Sequence, residues 1–248
     1  MTASSYPVGR DESASNRRTA TFAGWLMVIT FVTSIPALLL YGPVLNHSNY
    51  ITGAGANAHG VVALGALLEM LLIIANVGTA VVLFPILKRQ NETAALGYVT
   101  ARLVECTFIA IGIVSVLATL TVREDGNPGA SAALGKALIA IHDWTFLLGP
   151  GFVVGVGNGL ILGYLMYRSG LVPRRMAMLG LIGGPLICAS GTLVLFNAID
   201  AGGPVQFIAT IPEFIWELSF GIYLIVKGFL PSPILTAGAP GFAGVTQT

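Results

Sequence analysis

The chain has 248 residues, of which 55% are hydrophobic and only 9% charged, with 12 basic and 11 acidic side chains and a net charge of +1. A soluble domain carries about 25% charged residues, so this inventory cannot build a water-facing surface. Long apolar runs recur from Phe22 to Phe229 and place the chain among all-α, polytopic membrane proteins, with the lipid bilayer as solvent and no basic cluster for nucleic acid.

Residues 1–21 are rich in Ser, Thr, Arg and Asp and lack an apolar stretch at the start, so a disordered cytoplasmic tail is expected rather than a cleaved leader. A first helix is predicted from about Phe22 to Val44, kinked at Pro36. A Gly-containing loop follows over Asn46 to Ala58. The second helix should run from Gly60 to Phe84, with Pro85 marking its end. Its Glu69 and Asn76 are seven apart and share a face, which Gly65 and Thr79 extend.

A short charged turn over Leu87 to Glu92 leads into a third helix, Gly97 to Thr121, in which Arg102 and Glu105 are three apart and placed to pair. The Gly- and Ala-rich stretch from Val122 to Ala140 is expected to be a loop. The fourth helix, Ile141 to Tyr167, is interrupted at Gly149-Pro150-Gly151. Beyond it Gly151, Gly155, Gly159 and Gly163 fall every fourth residue, a small-residue seam that lets another backbone approach, with Asn158 on the same face as Gly151 and Gly155.

The fifth helix, Met176 to Phe196, answers with Gly180, Gly184, Cys188 and Gly191. The turn between them is short, so the two should be antiparallel neighbours. Cys106 and Cys188 lie far apart in apolar segments and read as buried, reduced thiols. The sixth helix spans Val205 to Phe229, completing a six-helix transmembrane domain over residues 22–230. Residues 231–248 are Pro- and Gly-rich, uncharged, and expected to be a second disordered cytoplasmic tail.

Six crossings place both termini on one side. Arg10, Arg17, Arg18, Lys88, Arg89, Arg168, Arg174, Arg175 and Lys227 fall on that side, against Arg123 and Lys136 on the other, which predicts cytoplasmic termini in the cell membrane.

The last helix carries Glu213 and Glu217 one turn apart inside an apolar run. A carboxylate near a bilayer centre costs roughly 2.5 to 3.5 kcal/mol on insertion scales. Helix rise puts Glu69, Glu105 and Glu217 at overlapping depths, which suggests a central acidic site with Arg102 neutralising Glu105. Either some of these acids hold protons or a cation sits among them. Glu69, Asn76, Arg102, Glu105, Asn158, Glu213 and Glu217 are therefore the candidate ligand or ion site. A metal ion is a weaker candidate: His47, His59, His142 and Asp143 map to the side opposite the termini, without a ligand spacing of the HxxxH kind.

Five blocks, FPILKR, GYVTARLVE, HDWTFLLGP, GYLMYRSGLVPRRMAMLGLIGG and PEFIWELSFGIYLIVKGF, resemble in order and spacing those of a bacterial membrane family, domain-of-unknown-function family 4386. The resemblance covers roughly Phe22 to Pro231 and implies the six-helix architecture but no activity. On it, the second acidic position of the last block is Glu217, and the Arg and Glu of the third helix are Arg102 and Glu105.

No Walker loop, GxSxG elbow or dinucleotide fingerprint occurs, so nothing suggests an enzyme, and any cofactor is unknown. Two classes fit the polar interior. One is a small-solute or ion carrier; the other is a non-transporting component that binds a lipid or a partner protein.

Overall fold

The structure, a computed structural model, describes residues 8–45, 58–124 and 128–236, and every regular element among them is helical. The helices are α1 (Val8–Leu40), α2 (Gly42–Leu45), α3 (His59–Leu87), α4 (Glu92–Glu124), α5 (Pro128–Leu148), α6 (Gly163–Ser169), α7 (Arg174–Leu195), α8 (Pro204–Val226) and α9 (Pro233–Thr236). Two π-helical segments, Gly149–Val153 and Gly155–Leu162, join α5 to α6 into one crossing. Six stretches are long and apolar enough to span a membrane: Ser13–Leu40, His59–Leu87, Glu92–Arg123, Ser131–Ser169, Arg174–Leu195 and Pro204–Val226. Hydrocarbon offers no partner for a free amide, so each crossing satisfies its own backbone as a helix.

The crossings form a closed ring in chain order. Each packs on the next, the π segments carrying the contact to α7, and α8 returns to α1. At the end of the ring nearer the termini this closure is tight: a Cβ at Gly24 would stand 2.6 Å from the Gly221 carbonyl oxygen. Arg17 fastens the same corner, its guanidinium donating to the carbonyls of Leu224, Ile225 and Val226 at 3.1, 2.8 and 3.2 Å. Those carbonyls belong to the last turn, at the negative end of α8.

The half of the ring nearer the termini is filled by an apolar cluster to which all six crossings contribute, including Met27, Leu83, Tyr98, Leu165, Ala177 and Phe220. A second cluster around Tyr41, Val62, Ile109 and Ile113 packs the α1–α2 junction, α3 and α4 at the other end.

Several boundaries depart from expectation. Helix α3 runs through Pro85 to Leu87, because the ladder resumes with Lys88 N–H donating to the Phe84 carbonyl at 2.9 Å. The stretch expected to be a loop over 122–140 is mostly helix: α4 continues to Glu124 and α5 begins at Pro128. Pro at a first turn and an Ala- and Leu-rich sequence behind it explain the early start.

The Gly-Pro-Gly interruption does not break the fourth crossing but widens it into π-helix. Pro150 has no N–H to donate and its ring crowds the preceding turn, so the ladder shifts register, and glycine tolerates the shift. At the ends, α1 begins at Val8, within the expected tail. Residues 231–236 dock on the bundle: Ser232 donates to the Ser169 carbonyl at 2.6 Å and Leu235 joins the apolar cluster. Residues 1–7 and 237–248 of the two expected tails, and nearly all of the 46–58 loop, lie outside the described residues.

Candidate functional site

A cavity of about 250 Å³ occupies the middle of the ring, and all six crossings line it. Four carboxyls, Glu69, Glu105, Glu213 and Glu217, face it together with a single guanidinium, Arg102. The rest of the wall is the Asn76 amide, hydroxyls and apolar side chains.

Helices α3 and α4 supply a polar cluster in which only the Arg102 Nε lacks a partner. Arg102 donates to Glu105 at 2.8 Å one turn along α4, and its other terminal nitrogen donates to the Asn76 side-chain oxygen at 2.8 Å and to Thr79 at 3.4 Å. The Asn76 amide in turn donates to the second Glu105 oxygen at 3.0 Å. Arg102 and Glu105 are only 2% and 4% exposed, so the pair is a buried one whose charges are matched inside the bundle. The seven-residue spacing that put Glu69 and Asn76 on one face of α3 thus places both on the cavity wall.

Helix α8 and the π segments supply a second group. The Asn158 side-chain amide donates to Glu217, while the Asn158 backbone carbonyl accepts the Trp216 indole N–H at 3.0 Å. One residue of the widened helix thereby holds two neighbours on α8. Glu213 differs from the others: it is 1% exposed and neither carboxyl oxygen has a hydrogen-bond partner. Glycines make the room for it. A Cβ at Gly183 would lie 2.5 Å from the Glu213 nitrogen and 2.8 Å from its Oε2, and one at Gly159 would lie 2.7 Å from the same oxygen.

The third group sits toward the end of the ring opposite the termini. Tyr41 donates its hydroxyl to Glu69 at 2.8 Å, and Gly65 leaves space for the ring, since a Cβ there would come within 2.9 Å of it. His142 meets the Tyr41 ring edge-on at 5.8 Å and stacks on Phe146.

The structure therefore brings six of the seven predicted residues onto one cavity, and the seventh, Asn158, is hydrogen-bonded to Glu217 just behind it. The glycine seam is in contact with α7 over most of its length: Gly155 and Gly159 face Gly184 and Gly163 faces the Gly180–Leu181 backbone, whereas a Cβ at Gly151 would point back at Phe146 of its own crossing, only its carbonyl meeting Gly191. Gly180 itself accommodates the Trp216 indole.

The metal set is not assembled. Among the described residues no group of three His, Cys, Asp or Glu side chains is placed to hold an ion. His142 and Asp143 adjoin at 3.5 Å, His59 begins α3, and His47 lies outside the described residues.

Sequence reasoning missed Tyr41, Gly183, and the cavity-lining hydroxyls of Thr30, Ser34 and Thr210. Gly183 was detectable as the neighbour of Gly184 in a Gly-Gly pair. Tyr41 carried no signal beyond being a hydroxyl-bearing aromatic at the end of an apolar run.

The model of the family described as Domain of unknown function (DUF4386) matches residues 22–228. Comparison with curated proteins and with solved structures gave no match. The chain belongs to the DUF4386 family.

Proposed function

We propose that this DUF4386 protein binds a small positively charged solute in its central cavity and carries it across the membrane. The observation that supports this is Glu213, a carboxyl buried at 1% exposure, lining the cavity, with both oxygens unpartnered. A bare carboxylate so placed is strongly unfavourable, whereas one facing a cavity can be satisfied by what enters it. Arg102 does not pair with Glu213: the two terminal nitrogens of its guanidinium are taken by Glu105, Asn76 and Thr79. One guanidinium against four carboxyls makes the cavity an acceptor of positive charge.

The carrier role draws support from the asymmetry of the ring. An apolar cluster drawn from all six crossings seals the half nearer the termini, whereas the cluster at the opposite end draws on the α1–α2 junction, α3 and α4 with Ile139 of α5. Release across the seal would need that cluster to part, as alternating access requires. The cation bias assigns the sealed face to the cytoplasm.

The test is uptake by vesicles reconstituted with the full chain, scanned over inorganic and organic cations with and without a pH gradient. Uptake that is lost in Glu213→Gln and kept in Glu92→Gln, at an exposed position, supports the reading. Cation binding without uptake assigns the chain instead to the non-transporting, ligand-binding class. Absence of any cation binding overturns the proposal.

A further inference from the structure

We infer that the cation is the ammonium end of an amphiphile, and that it reaches the cavity from within the bilayer through the flank between α1 and α8. This rests on the cation-binding reading above and names its substrate class. Three observations carry it.

The first is the wall. Ile35 and Leu38 on α1 and Phe214 on α8 all line the cavity, yet they are 48%, 43% and 43% exposed. All three lie inside the membrane-spanning stretches Ser13–Leu40 and Pro204–Val226. The partition between cavity and lipid is therefore one side chain deep along this flank. At the other end of the same two helices the backbones touch at Gly24 and Gly221, whereas here aromatic rings meet between them. Phe31 and Phe214 meet edge-to-face, 5.1 Å between centroids and 87° between planes, and this contact is what closes the flank. An edge-to-face pair adds little beyond its buried area, so it can part for a ligand.

The second is the mixture of surfaces. Leu72, Ile109, Val154 and Ile187 share the cavity with the carboxyls. A bare alkaline-earth ion needs about six oxygens converging at short range, and among the described residues no three carboxyl or imidazole side chains converge for one. An ammonium needs a few acceptors for its N–H groups, and it can carry an apolar chain that covers the aliphatic wall. Glu213, with neither oxygen hydrogen-bonded, is the acceptor on the wall that an entering ammonium engages once the carboxyl turns from Gly159 and Gly183.

The third is size. At about 250 Å³ the cavity is just below the usual range for small-molecule sites, so a long chain attached to the amine must leave through the flank. The same ammonium chemistry belongs to a free long-chain amine and to the headgroup of an aminophospholipid.

The experiment uses the full chain in phosphatidylcholine nanodiscs and a diazirine-bearing long-chain alkylamine as photoprobe. Adducts are mapped by mass spectrometry, and competition is measured with dodecylamine, dodecanol, methylammonium and sodium. Labelling at Ile35, Leu38 or Phe214 that dodecylamine displaces, with at least about tenfold weaker binding in Glu213→Gln, bears out the inference. Glu217→Gln, whose amide oxygen can still accept from Asn158, gives a second and independent loss if Glu213→Gln does not fold. Protection by phosphatidylethanolamine added to the nanodiscs identifies an aminolipid as the source; competition by the free amine alone identifies a soluble amphiphile. Methylammonium or sodium competing as well as dodecylamine overturns the bilayer route while leaving cation binding in place. Dodecanol competing equally, with no effect of Glu213→Gln, overturns both.

Discussion

Gly159 and Gly184 lie in backbone contact: a Cβ at Gly159 would stand 2.5 Å from the Gly184 Cα and 2.8 Å from its nitrogen. Neither atom can yield, because both belong to helix backbones. Gly159→Ala should therefore lower the melting temperature in detergent, and Gly159→Leu should prevent native packing. Overpacking in soluble cores costs about 1–3 kcal/mol, and a backbone obstacle puts the alanine variant at the upper end of that range. Gly60→Ala is the control, since a Cβ there meets nothing within 4 Å. Equal melting of Gly159→Ala and Gly60→Ala would refute the contact.

The Arg102–Glu105 pair gives a different kind of test. Removing one partner of a buried pair costs about 3–5 kcal/mol because the other charge is left uncompensated, whereas replacing both by apolar groups is often tolerated. Arg102→Met should thus be severely destabilised, and Arg102→Met combined with Glu105→Leu should melt closer to the parent. If the double variant is worse than either single one, the pair is held by its hydrogen bonds to Asn76 and Thr79 more than by its charge.

Much of this architecture is legible in the sequence because a bilayer leaves few choices. Apolar length alone placed six crossings, and the i to i+3 spacing of Arg102 and Glu105 implied their pairing. The glycine period identified the face that meets α7. Three features were not legible, for separate reasons. Helical phase says which side of its own helix Glu213 occupies, but the absence of a partner depends on α7 and the π segments arriving there without one. The π register after Pro150 depends on how a lost backbone donor is accommodated, and a helix break was the simpler expectation. Tyr41 reaches Glu69 only because Gly65 clears the space, a relation across two helices that no local pattern encodes.

Arg17 ties the start of the first crossing to the end of the last through three carbonyls. Arg17→Ala should destabilise the bundle by about 1 kcal/mol, the scale of a cation at a helix C-terminus. Gly228→Ala should do so too, because Gly228 has φ +74° and a Cβ there would meet the Arg17 side chain at 2.9 Å. The two effects should be less than additive, since both disturb one corner. Strict additivity in a double-mutant melt would show that Arg17 is not engaged there.

The excess of Lys and Arg at the end nearer the termini predicts an orientation that labelling can test. With the termini cytoplasmic, Asn91→Cys should resist an impermeant thiol reagent in whole cells and Asp200→Cys should react; both positions are exposed at opposite ends of the ring. The reverse pattern would invert the topology and assign the sealed face to the outside.

The last expectation concerns protons. Glu69, Glu213 and Glu217 face the cavity from α3 and α8, Glu105 and Arg102 face it as a pair from α4, and His142 stands near Glu69 from α5. A proton and a ligand cation satisfy the same buried negative charge, so they compete for it. Each proton that a carboxyl must release before the cation binds adds about one unit of slope to the logarithm of affinity against pH. The sign is fixed: lowering pH fills the carboxyls with protons and weakens cation binding, and raising it strengthens binding until the last competing proton is gone. Salt should have little effect at constant pH, because the site is buried and screening is weak there. Glu213→Gln removes one competing carboxyl and should flatten the profile as well as lower the plateau. Titration of binding across pH measures both, and infrared difference spectra should show a protonated carboxyl band that disappears when the cation is added. A pH-independent affinity with an unchanged carboxyl band would mean that the glutamates take no part in binding, and the cavity would then be a neutral one.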